Sequence, residues 1–297
     1  MSVWKVLATL VAVLFALGAL VACNGAAVLN SITPSSAFDR TNDIAYGPLP
    51  RQRLDVYRAV EPREGAPTVV FVHGGGWNSG SKSIYKFIGD SFAMEGLDVV
   101  VPDYRLHPDA VYPSVVEDTA LAAQWAVEEF SRPVVLVGHS AGGYNALQTV
   151  FAPELSAASG LEVCESVAGV VALAAPTGVY ELEDEPYTTV FPARFRGDDA
   201  PINRARGVGG TAPFTEVPPI LLVHGTEDTV VGPRNSTDFA PVLGPRARLA
   251  VYEGRDHIDP VRLLSRRFDG DSTLKADVMS FIEGLPLEGD LCADPRP

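Results

Sequence analysis

Short runs of apolar, mostly β-branched residues recur along the chain and alternate with stretches of helical spacing. Apolar side chains at helical spacing from Ser114 to Phe130 predict a helix there. Helices are also predicted near Ser83 to Glu95 and from Ser272 to Glu283. Buried strands that alternate with helices indicate an α/β fold, with a mostly parallel central sheet covered by helices on both faces. The runs predicted as buried strands are "TVVFVHGGG", "LDVVVPDYR", "RPVVLVGHSAGG", "SVAGVVALAAP" and "VPPILLVHGTED", with "RLDVYRA" as a partly exposed early strand and "ARLAVYEG" as the last strand.

Two segments lack this alternation of strand and helix patterns. Residues 24 to about 45 are small and polar, and we expect them to form a tether and an irregular arm. The stretch from about residue 177 to 219 carries "YELEDEPY", "FPARFRGDD" and several prolines, which predicts a small cap insertion above the sheet. The expected organisation is therefore a tether over residues 23–45 and one domain over residues 46–297 that contains the cap.

The first residues of the chain have the pattern of an export signal. Lys5 is followed by an apolar run from Val6 to Val21, which is short for a transmembrane helix of about 20 residues. The run fits the hydrophobic region of a signal peptide over residues 1–22. The run ends in Leu20-Val21-Ala22-Cys23, which resembles a bacterial lipobox and predicts lipidation at Cys23 and an exported, lipid-anchored protein in the bacterial cell envelope. The alternative is an ordinary signal peptide or anchor with a chance cysteine.

The composition limits the partners of the domain. The 297 residues are 46% apolar, which is ample material for a large core. The formal net charge of −14 argues against nucleic acid as a partner, because phosphate binding needs clustered Lys and Arg. The sequence has neither an H-x-x-x-H pattern nor paired cysteines at zinc spacing, so we expect no metal and no cofactor. Nothing in the pattern indicates an oligomeric state.

Residues with catalytic potential follow four of the predicted strands. Functional side chains of parallel sheets gather at the carboxyl ends of the strands, so we expect these residues to converge. A glycine loop, a nucleophile, an acid and a base are the set that acyl transfer requires. The candidates are His73 with three glycines after the first buried strand, Ser140 after the third, Asp228 after the next-to-last and His257 after the last.

The segment Gly138 to Gly142 reads Gly-His-Ser-Ala-Gly and matches the G-x-S-x-G pattern of a nucleophile elbow. Its serine takes a strained turn between a strand and a helix, and the glycines on either side relieve crowding. The preceding β-branched strand and the following helical pattern support this interpretation. The alternative is a turn with a purely structural role.

The base is assigned by elimination among five histidines. Only His257 follows the candidate acid, in the chain order nucleophile, acid, base. The alternative for His257 is a histidine of a surface loop. The residues alone leave the acid open between the neighbours Glu227 and Asp228. Asp256 is disfavoured because an adjacent residue usually cannot orient the imidazole next to it.

The motifs "HGGGW", "DYRLHP", "GHSAGG", "HGTEDTVV" and the late "GRDH" together resemble the α/β-hydrolase esterases of the HGGG type. That group includes hormone-sensitive-lipase-like carboxylesterases, kynurenine-formamidase-like enzymes and bifunctional deacetylase/feruloyl esterases. The resemblance runs from about residue 46 to 285 and implies the α/β-hydrolase fold. It also implies that Asp228 orients the base, and that the amides of Gly75, Gly76 and Ala141 form an oxyanion hole. A phosphate cradle is the competing interpretation of the glycine run, but no Lys follows in Walker spacing.

The expected activity is hydrolysis of a small-molecule carboxylic ester through an acyl-enzyme formed on Ser140. We expect a preference for short acyl groups, because the cap sequence is acidic and proline-rich and lacks a long apolar helix that would open onto a lipid surface. The alternatives are an amidase, formamidase or peptidase of the same fold, and a non-catalytic binding lipoprotein. A missing member of the triad would have favoured the binding protein. The membrane is expected as a partner only through the lipid anchor.

The cysteines predict a crosslink. If Cys23 is acylated, Cys164 and Cys292 are the two that remain, and an exported protein meets an oxidising environment. Cys164 precedes a strand, so it lies at the edge of the sheet opposite the strands' carboxyl ends. Cys292 follows a helix that must run back across the sheet to that same edge. A disulfide is therefore expected, and two unpaired thiols are the alternative.

Overall fold

The computed structural model describes residues 28–178, 187–191, 201–206 and 216–293. In this part of the chain eight strands form one sheet with the order β1-β2-β4-β3-β5-β6-β7-β8. β1 and β4 pair with β2 in antiparallel fashion, and the remaining pairs are parallel. The strands are β1 Phe38–Ala45, β2 Arg53–Ala59, β3 Thr68–Val72, β4 Val99–Pro102, β5 Val134–His139, β6 Val167–Leu173, β7 Ile220–Gly225 and β8 Ala247–Tyr252.

Helices cover both faces of the sheet, as the hydrophobic pattern predicts. The helix expected over Ser114 to Phe130 has these bounds, whereas the helix expected near Ser83 to Glu95 spans only Lys86–Ala93, after a 3₁₀ turn over Lys82–Ile84. The helices are α1 Lys86–Ala93, α2 Ser114–Phe130, α3 Ala141–Phe151, α4 Pro153–Ala157, α5 Val163–Ser166, α6 Tyr187–Val190, α7 Pro201–Arg206, α8 Arg234–Thr237, α9 Ala240–Leu243, α10 Asp259–Arg262 and α11 Leu274–Glu283.

The central strands are buried on both sides, which explains their uninterrupted apolar runs. Along β5, Val134 and Leu136 pack into one hydrophobic layer and Val135 and Val137 into the other. The first layer contains side chains of α2 and α3, and the second contains side chains of α1 and α11. Because successive side chains of a strand point to opposite faces, a strand buried on both faces is apolar along most of its length and not only at alternate positions.

The expected irregular arm is wrong over its last eight residues. Phe38–Ala45 forms β1, which pairs with β2 from Phe38 opposite Ala59 to Ala45 opposite Arg53. β1 is the outermost strand, and all its side chains except Phe38 and Ile44 are exposed. A strand at the edge that faces solvent has no need of apolar residues, so the pattern that reveals buried strands is missing here. The domain therefore begins before Tyr46.

Residues 28–33 also lie against the domain. The Asn30 side-chain amide donates a hydrogen bond to the Ser83 carbonyl at 2.8 Å, and Lys86 Nζ donates one to the Thr33 carbonyl at 2.7 Å. The signal peptide over residues 1–22 and the lipidation site Cys23 lie outside the described residues. So does most of the cap, of which the structure describes residues 187–191 and 201–206 and the two ends. In the described ranges, no helix is both long enough and apolar enough to cross a bilayer.

A disulfide joins Cys164 in α5 to Cys292, which follows α11. The two Cα atoms are 5.0 Å apart, and the Leu291 amide donates a hydrogen bond to the Cys164 carbonyl at 2.8 Å. Cys164 lies three residues before the start of β6 at Val167. The crosslink is therefore at the amino-terminal edge of the parallel strands, opposite the edge where the candidate catalytic residues lie.

Candidate active site

Ser140 lies in a strained turn between β5 and α3. Its backbone has φ 52° and ψ −121°, and its amide donates a hydrogen bond to the Leu173 carbonyl at 2.9 Å. The flanking glycines are sterically required. A Cβ on Gly138 would lie 2.3 Å from the Gly142 carbonyl oxygen, and a Cβ on Gly142 would lie 2.1 Å from the Val72 carbonyl oxygen. The glycine spacing of the sequence thus follows from close backbone packing around the serine.

The glycine run after β3 packs directly against this turn. A Cβ on Gly74 would lie 3.2 Å from the Ser140 Cβ, so this glycine allows the two loops to touch. Gly75 and Gly76 both have positive φ, at 123° and 58°, a region that glycine adopts without strain. The Ala141 amide is the first of α3 and belongs to the unpaired amides of a helix N-terminus. Gly74 therefore brings the glycine loop against the serine, and Ala141 directly follows the serine in the chain.

His257 connects the serine to the acid. Its Nε2 lies 3.0 Å from Ser140 Oγ, and its Nδ1 lies 2.8 Å from Asp228 Oδ2. His257 is 8% exposed, so it is nearly enclosed by the protein. The loop that carries it is held to the end of β7, because the Arg255 carbonyl accepts a hydrogen bond from the Glu227 amide at 3.0 Å.

The loop after β7 fixes Asp228 from several sides. Its Oδ1 accepts hydrogen bonds from the Val230 and Val231 amides, at 2.9 and 2.8 Å. Burial by itself raises the pKa of the Asp228 carboxyl, but hydrogen bonds from His224 and His257 outweigh it and hold the pKa well below the usual range. Asp228 is thus a carboxylate that accepts hydrogen bonds and does not take up a proton near neutral pH.

The structure also separates Asp228 from the two competing carboxylates. Glu227 is exposed to solvent, whereas Asp228 is buried. Asp256 Oδ1 accepts hydrogen bonds from the Ile258 and Asp259 amides, at 2.9 and 3.0 Å, so it caps the turn that leads into α10.

His224 contacts Asp228, although the sequence pattern did not predict a role for it. Its Nε2 lies 2.8 Å from the Val231 carbonyl oxygen and 3.2 Å from Asp228 Oδ2, and its Nδ1 lies 2.7 Å from Ser236 Oγ. A carbonyl oxygen only accepts, so Nε2 carries the proton. The signal available in the sequence was a histidine four residues before the acid at a strand end.

Aromatic residues fill the space beside the glycine loop. Trp77 Nε1 donates a hydrogen bond to Asn145 Oδ1 at 2.8 Å, and its ring lies edge-on to the Tyr144 and Phe191 rings at 5.4 and 4.8 Å. Phe191 directly follows α6, so this cluster joins the described part of the cap to the domain. Trp77 is buried and has a packing role.

Among the described residues, the atoms of Cys164, Asp290 and Cys292 lie within 4.8 Å of one another, as metal ligands would. The two sulfur atoms are joined in the disulfide, so they are not available as thiolate ligands.

Residues 54–243 match the BD-FAE family, a stretch that runs from β2 to α9 and includes Ser140 and Asp228. The chain belongs to the BD-FAE family. This match confirms the resemblance to HGGG-type α/β-hydrolases, and the similarity to solved structures confirms the predicted fold. Esterase B from Lactobacillus rhamnosis has a TM-score of 0.72 at 18% identity, with 93% of this chain and 94% of that one covered.

Curated relatives of this BD-FAE protein include esterases. A probable isoprenylcysteine alpha-carbonyl methylesterase of Oryza sativa is 29% identical over 261 residues, which cover 80% of this chain and 63% of the relative. Esterase LipC of Mycobacterium tuberculosis is 30% identical over 241 residues, which cover 70% of this chain and 56% of the relative. The chain thus spans about three-fifths of the length of these two proteins.

Proposed function

We propose that this protein hydrolyses carboxylic esters by nucleophilic catalysis, with Ser140 as nucleophile, His257 as general base and Asp228 as the residue that orients the base. The observation that carries the proposal is the continuous chain of hydrogen bonds from Ser140 Oγ through both ring nitrogens of His257 to Asp228 Oδ2. This is the arrangement by which a serine hydroxyl is activated for attack on a carbonyl. The esterases among the relatives support ester hydrolysis as the activity.

The geometry supports a two-step reaction. As Ser140 Oγ bonds to the ester carbonyl carbon, His257 Nε2 takes the hydroxyl proton and then gives it to the departing alcohol oxygen, which leaves an acyl-enzyme. A water molecule then attacks the acyl carbon with His257 again as the base, which releases the acid and restores the serine. The ionised Asp228 keeps the His257 Nδ1 proton in place and stabilises the imidazolium.

The amides of Gly75, Gly76 and Ala141 are proposed to stabilise the oxyanion of each tetrahedral intermediate. The close contact of Gly74 with Ser140 supports this role, because it brings the glycine loop to the nucleophile. Preorganised donors of this kind contribute about 3 kcal/mol each to the lowering of the barrier.

We further propose that the substrate is a small molecule with a short acyl group. The buried packing of Trp77 against Tyr144 and Phe191 supports a small site, since these rings occupy space next to the glycine loop. The described helices of the cap, α6 and α7, are four and six residues long, too short to present a broad apolar face to lipid.

The location proposed for the enzyme is the bacterial cell envelope, with a lipid anchor on Cys23. The lipobox-like residues before Cys23 and the apolar run from Val6 to Val21 support it. The membrane would then be a partner through the anchor, and the ester would be hydrolysed outside the cytoplasm.

A substrate panel tests the activity and the acyl preference together. The purified domain is assayed with p-nitrophenyl esters from acetyl to palmitoyl, with acetylated xylan and feruloyl esters, and with N-formylkynurenine as the amide. We expect kcat/KM to be highest for the acetyl or butyryl ester. A higher value for palmitoyl than for butyryl would contradict the short-acyl proposal, and turnover of the amide alone would contradict ester hydrolysis.

A further inference from the structure

His139, the residue directly before the nucleophile, contacts both loops that the reaction requires. It is the last residue of β5 and is buried. Its Nε2 lies 2.8 Å from the backbone carbonyl oxygen of His257. On the other side of the ring, a Cβ on Gly74 would lie 2.9 Å from His139 Nδ1. One side chain thus touches the loop of the base and the glycine loop, and its backbone continues into Ser140.

The carbonyl contact defines the tautomer and direction of this hydrogen bond. A carbonyl oxygen only accepts, so Nε2 is the donor and Nδ1 of the neutral ring is unprotonated. Burial, helped by the neighbouring His257, lowers the pKa of His139 to about 3. The ring centroids of the two histidines are 4.9 Å apart, so a charge on His139 would oppose the imidazolium that His257 forms during catalysis. His139 therefore stays neutral and keeps one N–H donor over the pH range in which an esterase works.

This contact fixes a part of His257 that the acid does not. Asp228 holds the ring through Nδ1, which sets the rotation of the imidazole. The position of the backbone of His257 determines whether Nε2 then reaches Ser140 Oγ at 3.0 Å. Because His139 and Ser140 are consecutive, a hydrogen bond from the His139 ring to the His257 carbonyl fixes the position of the base relative to the nucleophile.

We propose that His139 is a positioning residue, whose Nε2–H holds the backbone of His257 at hydrogen-bonding distance from the nucleophile. The inference rests on the proposed ester hydrolysis. A residue that only filled the space between the two loops would need volume but no hydrogen-bond donor, so the need for a donor distinguishes positioning from packing. A misplacement of about 1 Å in a reacting group costs about a hundredfold in rate, so the loss of this bond should be measurable.

The test compares two substitutions that differ in the donor. His139→Gln places an amide N–H the same number of bonds from Cα as the histidine Nε2, whereas His139→Leu has a comparable volume and no donor. Both are assayed with p-nitrophenyl acetate for kcat and KM and with a fluorophosphonate for the rate of Ser140 labelling. Thermal unfolding of each variant is followed in parallel. If the leucine variant does not fold, His139→Met, which also lacks an N–H donor, replaces it.

We expect His139→Leu to lower kcat and the labelling rate by about tenfold to a hundredfold with KM little changed. His139→Gln should recover most of both rates. Equal losses in the two variants, or a leucine variant with the kcat of the wild type, would overturn the role of the donor. A wild-type protein that neither hydrolyses esters nor reacts with the fluorophosphonate would instead contradict the proposed function.

Discussion

Ser140 and His257 are 117 positions apart in the chain, yet Oγ of the serine lies 3.0 Å from Nε2 of the histidine. The serine follows β5 and the histidine follows β8, and β6 and β7 lie between those strands in the sheet. The loop after β8 therefore reaches back across two strands. Gly225 permits this, because a Cβ there would lie 2.1 Å from the Arg255 carbonyl oxygen.

The first prediction concerns the contact between the glycine loop and the nucleophile. Gly74→Ala adds a Cβ 2.9 Å from His139 Nδ1 and 3.2 Å from the Ser140 Cβ, so the loop must move away from the serine. We expect kcat for p-nitrophenyl acetate to fall by about tenfold to a hundredfold. Gly232→Ala is the matched control, since its Cβ would meet nothing within 4 Å. Unchanged kcat in Gly74→Ala would show that the oxyanion donors lie elsewhere.

The ionisation of Asp228 predicts how its contribution to stability depends on pH. Its pKa in the folded protein is below the ordinary value of 3.8, so its stabilising effect is fully present above that pH and is lost as the pH falls through the folded pKa. The difference in unfolding free energy between the wild type and Asp228→Asn should therefore be larger at pH 6 than at pH 2. Urea denaturation at both pH values measures it, and a difference that grows towards acid would contradict the depressed pKa.

The disulfide predicts stability without an effect on catalysis. It closes a loop with a sequence separation of 128 residues, for which the chain-entropy model gives about 5 kcal/mol, often less in practice. Cys164→Ser combined with Cys292→Ser should lower the free energy of unfolding and leave kcat/KM near the wild-type value, because the bridge lies at the edge of the sheet opposite Ser140. Denaturation curves with and without a reductant provide the measurement. Insensitivity of the wild type to the reductant would indicate that the bridge does not form.

The proposed lipid anchor predicts the behaviour of the full-length protein in a bacterial host. The wild type should partition with membranes and take up labelled palmitate, and Cys23→Ser should do neither. The reason is that the lipid is attached through the thiol, which serine lacks. Equal solubility of the two proteins would count against lipidation.

Much of the fold was predictable because a parallel strand buried on both faces is apolar at most of its positions. β5 and β6 illustrate this, since every residue of both strands is buried. β1 was missed for the converse reason, because a solvent-facing edge strand can be polar. Backbone pairing with β2 creates that strand, and this pairing leaves no trace in the pattern of side chains.

The candidate site was predictable where close backbone packing requires glycine, as around Ser140. The acid was harder, because Glu227 and Asp228 are adjacent and of the same chemistry. The path of the loop after β7 leaves Glu227 exposed and Asp228 buried, and this path is not visible in the sequence. His139 and His224 act through contacts with other loops, so their partners are set by tertiary structure and not by spacing in the chain.

The central claim is that Ser140 is the nucleophile of an ester hydrolase, and the turnover of p-nitrophenyl acetate by Ser140→Ala tests it most directly. Alanine removes only the hydroxyl, so circular dichroism and thermal unfolding should match the wild type closely. Loss of a triad nucleophile costs several orders of magnitude in kcat, and we expect turnover to fall to the background rate. A folded Ser140→Ala protein that keeps more than about 5% of wild-type turnover would contradict the account, since a true loss of the nucleophile leaves far less.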